Sequence, residues 1–453
     1  MTEGAPAGGR ALLWVVAGAL LLRVLRAALR WDEIALAYAA YQQAWLDGGW
    51  LTFHGLHPPG YSLIFALLPA SAAAWLLWSA LCSAGAVWLV GRAAGVGAAV
   101  VLAVDPLQLS YAAEVNDYPQ LVLLCAACLH ERGRGRWLGL AVCGVLAGWT
   151  HLLGGLFAGL CALSLADRRA AGRVLAVLAV GCAPVLWSAL ELAGAASTYA
   201  QGGLEVGALL RGLWDKGGPW AWTWGLALIL GRDRGIQAIL VVLGLAVLGL
   251  MQLGIADAHQ QPYWLVLGPL AAVSLGRWGW WIAPLGLAWA VPREVEAVAG
   301  LRAGLARERA VDVALAESRP GDVLWLLKPA LKVDDDKTAW SDVLWRIPPW
   351  TAMPAWTGGF EYADYRYGQP RVLLGRVVHT STDLDPEVVP AVIRAHRAAG
   401  RRVWVVLYDH GPADDYPGLV RRVLGDLAAG CRWVGEDVGL GTDLLCKVSD
   451  LED

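Results

Sequence analysis

Up to residue 292 the chain alternates long apolar blocks with short polar knots; beyond it the pattern becomes that of an ordinary globular domain. A membrane-spanning helix needs about 20 apolar residues. Blocks that reach or approach this length are 11–29, 71–91, 95–109, 118–129, 174–193, 219–230, 235–254, 263–275 and 278–291. The block 137–166 is too long for one span and predicts two short ones that reverse at Thr150–His151. Residues 57–70 are apolar but brief and open on His-Pro-Pro, which suits an interfacial or re-entrant helix better than a span. The expectation is an all-α polytopic membrane domain over 1–292 with about 10–11 transmembrane helices.

Residues 293–453 read differently. An amphipathic, Arg- and Glu-rich helix is expected over 293–318. Strands are expected at 323–327, 371–377, 402–407, 432–435 and 443–448, with helices at 386–399 and 416–429. Alternating strands and helices predict a small α/β domain. Neither a Walker pattern nor GxGxxG follows any of these strands, so no phosphate-binding glycine loop is expected. Asp334-Asp335-Asp336 reads as a solvated loop, and Asp409-His410-Gly411-Pro412 as a turn.

Composition agrees with this division. Of 453 residues, 57% are apolar and 17% charged, where a soluble protein carries about 25% charged residues. A net charge of −3 gives no footprint for nucleic acid. The preference for Arg over Lys, with abundant Ala, Gly and Trp, fits a GC-rich bacterial gene. The first apolar block ends on Arg23, Arg26 and Arg30 with no small-residue cleavage site, so it reads as a helix that stays. Cys82, Cys125, Cys128, Cys143, Cys161 and Cys182 fall in apolar blocks, where thiols act as small hydrophobes. Cys431 and Cys446 lie on the last two expected strands, where an oxidising compartment would permit a disulfide.

Basic residues then orient the chain. Arg92, the Arg132–Arg134–Arg136 cluster, the Arg168–Arg169–Arg173 cluster, Arg232, Arg234 and Arg277 fall at alternate ends of the blocks. That side is expected to be cytoplasmic. The opposite side receives 31–56, 110–117, the Thr150–His151 turn, 196–218, 256–262 and the whole C-terminal domain. Although charge placement alone fixed the sides, Asp32, Glu33, His54, His57, Glu114, Asp117, His151 and His259 all land on the outer one. Ionisable groups at a membrane boundary are costly and commonly line a polar site. Asp47, Glu205 and Asp215 read as ordinary loop acids.

In order, the outer-face motifs are Arg23, Arg26 and Arg30, then Trp31-Asp32-Glu33 and Tyr38, then His57-Pro58-Pro59-Gly60-Tyr61, Glu114-Val115-Asn116-Asp117-Tyr118 and Gly148-Trp149-Thr150-His151. This series resembles the GT-C superfamily of membrane glycosyltransferases, in particular its protein O-mannosyltransferase, aminoarabinose transferase and RgtA-like groups. The resemblance covers roughly the first 170 residues. One position departs from the pattern: Asn116 stands where the family's second outer loop often has Arg.

The resemblance implies an inverting hexosyl- or pentosyltransferase in a bacterial cytoplasmic (inner) membrane. It would move a sugar from a polyprenyl-phosphate carrier to a glycan, lipid or protein acceptor at the outer face, with the C-terminal domain outside. A hydroxyl acceptor is a poor nucleophile and gains from a carboxylate base, for which Asp32 is the candidate, with Glu33 orienting it. The competing reading makes Asp32 a helix cap with Glu33 in the first turn. Glu114, Asp117 and Tyr118 are candidates for holding the acceptor. The acids could instead hold a divalent cation alongside Asp32, and metal dependence stays open. The lipid phosphate wants fixed positive charge, which Arg23, Arg26, Arg30, Arg211 and Lys216 could supply. His54, His57, His151, His259 and Tyr263 are candidates for hydrogen bonds to phosphate or sugar, their spacing being unlike a closed zinc site. Two alternatives remain: a transporter or flippase, and a non-catalytic GT-C-like scaffold in envelope glycan assembly.

Overall fold

The structure is a computed structural model. It describes residues 7–29, 58–112, 114–187, 206–217, 222–252, 261–307, 309–327, 371–373, 376–381, 388–407, 431–434 and 443–447. Arg30, Asp32, Glu33, His54, His57, His259 and the side chain of Lys216 lie outside this set, as do Asp334–Asp336, Asp409–His410 and the expected helix 416–429. The chain divides into two compact units, one built on the helices up to Val295 and one containing Glu296–Asp453.

The first unit comprises α1 (Ala7–Leu29), α2 (Gly60–Leu67), α3 (Ala72–Ala94), α4 (Val96–Ala103), α5 (Pro106–Tyr111), α6 (Tyr118–Gly133), α7 (Trp137–Thr150), α8 (Leu152–Leu163) and α9 (Arg168–Gly181). It continues with α10 (Val206–Gly217), α11 (Trp222–Leu230), α12 (Arg234–Gln252), a 3-10 helix at Gln261–Val266, α13 (Leu267–Leu275) and the part of α14 (Gly279–Arg307) up to Val295. Among the described residues, three helices are long and apolar enough to cross a membrane: Gly9–Leu29, Ala72–Ala94 and Arg234–Gln252. Large side chains such as Leu13, Trp14, Leu21 and Val180 stay exposed, as expected where lipid rather than water is the solvent.

Helix α4 forms the centre of this unit. Ala98 to Ala103 are all buried, with α1 and α13 packed against the helix. A Cβ on Gly97 would collide with the backbone carbonyl of Gly276, so this crossing depends on glycine. The expected span 95–109 is in fact two short helices. Asp105 accepts hydrogen bonds from the Leu107 and Gln108 amides (2.9 and 3.3 Å) and Pro106 follows at the first helical position, an arrangement that starts a new helix. The two-span reading of 137–166 holds, with the reversal at Thr150–His151. Small residues let α7 and α8 cross closely: a Cβ on Gly144 would lie 2.6 Å from Ala158 Cβ, and one on Gly148 would lie 3.5 Å from Gly155 Cα.

At the Arg-rich end, Arg132 reaches both carboxylate oxygens of Asp233 (3.1 and 3.3 Å) and the Ser164 hydroxyl (2.6 Å). Asp233 in turn accepts from the Gly235 and Ile236 amides that open α12 (2.8 and 3.1 Å). Partial burial pushes its carboxyl up, but Arg132 and these amides outweigh that and hold it below the ordinary value.

The second unit contains α15 (Arg309–Glu317), β1 (Val323–Leu327), β2 (Arg371–Leu373), β3 (Arg376–Ser381), α16 (Val388–Ala398), β4 (Val403–Leu407), β5 (Cys431–Val434) and β6 (Asp443–Lys447). Its six-stranded mixed sheet has the order β2-β3-β1-β4-β6-β5, with β1 parallel to β3 and β4. Two expectations are corrected. The strand 371–377 is two antiparallel strands with Leu373 opposite Arg376; Gly375, inside that run, was the available signal. The helix expected at 293–318 is divided between α14, which runs through Pro284 and Pro292, and α15. The antiparallel β5–β6 register sets Cys431 directly across from Cys446.

Asp322 locks the start of the parallel strands. It pairs with Arg402 (2.6 and 3.0 Å) and accepts from Trp404 Nε1 (3.2 Å) and the Arg319 amide (2.8 Å). Across the sheet, His379 is buried, stacks on Trp325 with centroids 4.9 Å apart, and meets His396 of α16 at 2.9 Å between Nε2 atoms. Burial, and then the neighbouring His396, push His379 down to about 4. Burial and Arg401 also lower His396. The folded domain therefore keeps His379 neutral, while the unfolded chain takes up its proton near pH 6.5. Stability is full above that pH and falls as pH drops from about 6.5 to 4, by up to about 3 kcal/mol from this group. Hydrogen exchange of the intact protein in β3 and α16 is expected to show protection declining between pH 7 and 5 after correction for intrinsic rates. His379→Phe should flatten that decline, and an equal decline in the variant would remove His379 as its cause.

Candidate functional site

The described parts of three motifs, Pro58–Tyr61, Glu114–Tyr118 and Gly148–His151, lie at the ends of α2, α6 and α7, near the end of α5 and the 3-10 helix Gln261–Val266. Helix α2 begins inside the His57–Tyr61 motif, with Pro59 as its N-cap residue. A Cβ on Gly60 would come within 2.6 Å of the Trp149 carbonyl oxygen. Two motifs about ninety residues apart in sequence thus touch backbone to backbone at a glycine. Tyr61 and Phe65 (centroids 4.2 Å) and Phe65 and Trp75 (5.4 Å) continue edge-to-face from there into α3. Tyr61 is buried and lies within electrostatic reach of Asp117 and Glu114.

The Glu114–Tyr118 loop is held by its own side chains. Asn116 donates to Glu114 Oε2 (2.9 Å) and accepts from the Tyr118 amide (3.2 Å), so Asn116, not Asp117, caps the start of α6. This is the position where the GT-C pattern that the sequence resembles often has Arg, and here Asn116 organises the loop. Asp117 is buried and Glu114 partly so. Tyr118 then meets His151 (5.7 Å between centroids) and Tyr263 (6.3 Å), His151 meets Tyr263 (5.8 Å), and Tyr111 closes on Tyr118 (5.8 Å). Three candidates separated by long stretches of sequence, Tyr118, His151 and Tyr263, therefore form one cluster.

The tautomer of His151 is set by the fold. Its Nδ1 accepts from the Leu153 amide at 3.1 Å, capping α8. A nitrogen that accepts this bond carries no hydrogen, so the neutral ring holds its proton on Nε2. That makes His151 a hydrogen-bond donor through Nε2, suited to an oxyanion.

Arg23 and Arg26 are placed differently. Arg23 is 0% exposed. Its guanidinium donates to Ser83 Oγ (2.6 Å) and to the carbonyls of Ala19 (3.0 Å), Ala103 (3.2 Å) and Leu102 (3.5 Å). The last two are carbonyls from the end of α4, which no further turn of that helix satisfies. Arg26 donates to the Leu109 carbonyl and to Ser110 Oγ (3.3 Å). Arg211 is exposed on α10, which packs against α5 and the 3-10 helix carrying Tyr263.

Several supporting residues escaped the sequence reading. Gln120 donates to Thr150 Oγ1 (3.0 Å) and accepts from Trp78 Nε1 (3.2 Å), joining α3, α6 and α7 below the cluster. Gln108 donates to the Leu265 carbonyl (2.9 Å) and fixes the 3-10 helix to α5. The Asp105-Pro106 pair was a readable signal for a helix start. Gln108 and Gln120 were marked only by being amides within apolar runs. Among the described residues, no group of three or more His, Cys, Asp or Glu is placed to hold a metal ion.

No protein-family model matches the chain, and a search of curated proteins finds no relative. Among solved structures, the chain is similar to ArnT from Cupriavidus metallidurans bound to undecaprenyl phosphate, at 14% identity and a TM-score of 0.53, over 99% of this chain and 100% of that one. The apo state of the same protein gives 14% identity and a TM-score of 0.54 over the same shares. The chain thus has the ArnT-like membrane fold.

Proposed function

We propose that this multi-pass membrane protein is a glycosyltransferase that takes a sugar from a polyprenyl-phosphate carrier and passes it, with inversion, to an acceptor at the outer face of the cytoplasmic membrane. The observation that carries the reading is the ArnT-like fold over 99% of the chain, one of the two similar structures being bound to undecaprenyl phosphate. The cluster of Tyr118, His151 and Tyr263 beside Glu114 and Asp117 supports it, because it gathers donors and acids where the motifs converge.

In this reading Asp32 removes the acceptor's proton as its oxygen attacks the sugar carbon, and Glu33 orients it. Bond breakage leaves charge on the carrier phosphate, which gains most from donors already fixed in place. His151 Nε2–H is such a donor, and Arg30, Arg211, Lys216, His54, His57 and His259 are the further candidates. Glu114 and Asp117 hold the acceptor. Arg23 and Arg26 act one step back, fixing the helix ends on which the cluster rests. The segment 293–453 is an extracytoplasmic accessory that shapes access of the acceptor.

Membranes containing the protein, supplied with a panel of radiolabelled polyprenyl-phosphate sugars, should move label into a lipid, glycan or protein fraction. Control membranes should not. Failure with every donor, together with passage of the intact labelled carrier across sealed vesicles, would replace transfer by transport.

A further inference from the structure

On the Arg-rich side a groove of about 710 Å³ opens between α3, α6 and the start of α7. Leu89, Ala127 and Cys143 line it, and Leu138 and Val142 remain exposed at its edge. Its mouth carries His130, Glu131 and Arg136. His130 Nδ1 is buried and has no hydrogen-bond partner. Around that ring stand Arg92, Arg134, Arg136 and the single acid Glu131. Glu131 lies against the first turn of α7, where a Cβ on Gly139 would strike its carboxylate, so its charge already faces that helix N-terminus. Arg92, Arg134 and Arg136 are exposed and form no ion pair among the described residues. Arg173 adds a further cation, 5.5 Å from the ring of Trp137, which also lines the groove.

An apolar trough between apolar helices that ends in unpaired cations and an unsatisfied ring nitrogen matches one class of molecule: an amphiphile with acyl chains and an anionic head. Basic pockets between transmembrane helices commonly hold such head groups. We propose that this groove binds an anionic phospholipid of the phosphatidylglycerol type. Its acyl chain lies along Leu89, Ala127, Val142 and Cys143, and its phosphate is met by Arg136, Arg92 and His130. The site is at the opposite end of α6 and α7 from the Tyr118–His151 cluster, and it stands whether or not the transferase reading does.

The test is native mass spectrometry of the full chain in detergent with equimolar dioleoyl phosphatidylglycerol and dioleoyl phosphatidylcholine. The wild type is expected to retain one phosphatidylglycerol with a preference of about 25-fold, in line with roughly fivefold for each of Arg92 and Arg136. Arg136→Gln should cut the preference about fivefold, and Ala127→Phe should fill the trough and lose the adduct. Arg136 is exposed, so its variant decides the matter if Ala127→Phe fails to fold. Equal retention of both lipids by the wild type, or a preference untouched by Arg136→Gln, would overturn the proposal. Displacement of the adduct by inorganic phosphate alone would show a head-group ion site, and preferential retention of undecaprenyl phosphate would reassign the groove to the carrier; either result also overturns it.

Discussion

Asp32→Asn is expected to lower sugar transfer by about 10²–10⁴-fold, the range for loss of a general base, while the variant elutes and melts like the wild type. The substitution separates the two readings of Asp32. Asn caps a helix about as well as Asp, so a purely structural Asp32 would leave both transfer and melting unchanged. An amide cannot take the acceptor's proton, so a catalytic Asp32 loses rate without losing stability. The comparison needs initial rates at saturating carrier and a melting curve on the same preparation. Full transfer by the folded variant would remove Asp32 as base and move attention to Glu114 and Asp117, the acids beside the Tyr118 cluster.

Arg23→Ala should have the opposite signature: little folded protein, and no activity beyond what that fraction explains. Three of the four hydrogen bonds from one buried guanidinium join α1 to Ser83 and to the end of α4, and the fourth returns to Ala19 of α1 itself. Removing it leaves the Leu102 and Ala103 carbonyls without these partners in a dry interior and opens a cavity, for a loss on the order of 5 kcal/mol. Lys at this position keeps the charge but cannot present a planar fork to several acceptors, so Arg23→Lys should melt between the two. Fluorescence-detected size exclusion and melting in detergent read this directly. A variant that melts like the wild type but fails to hold carrier would move Arg23 into the ligand site.

The membrane architecture was legible in the sequence wherever a block was long or a reversal was marked. The turn at Thr150–His151 and strand Val323–Leu327 came from hydropathy and turn chemistry alone. The block 95–109 shows the limit of hydropathy, because Asp105 is a single polar residue that leaves the window average high yet restarts the helix. Segment 196–218, read as a loop, contains the amphipathic helix Val206–Gly217, whose polar face hides it from an apolar-run search. Within the site, individual motifs could be read but their neighbours could not. Nothing in the spacing of Gly60 and Trp149 announces their contact, since a glycine chosen for close approach looks like any other in sequence. The role of Arg23 was also hidden. An arginine near a helix end reads equally as ligand donor or carbonyl cap until the end of α4 is seen beside it.

The close crossing of Trp137–Thr150 and Leu152–Leu163 also bears on the bilayer around it. Fourteen and twelve residues give helices only about 21 and 18 Å long, against a hydrocarbon thickness of about 30 Å. In the proposed orientation, with Arg136 and Arg168 among the head groups on one side, the reversal at His151 would fall roughly 10 Å short of the other. The membrane would have to thin there, or water descend to meet it. Either way, in that orientation, the donor nitrogen of His151 would sit in a dimple below the plane of the outer head groups. A carrier phosphate engaged there would be drawn down toward its own hydrocarbon tail, and bilayers of longer-chain lipids would make that descent more costly.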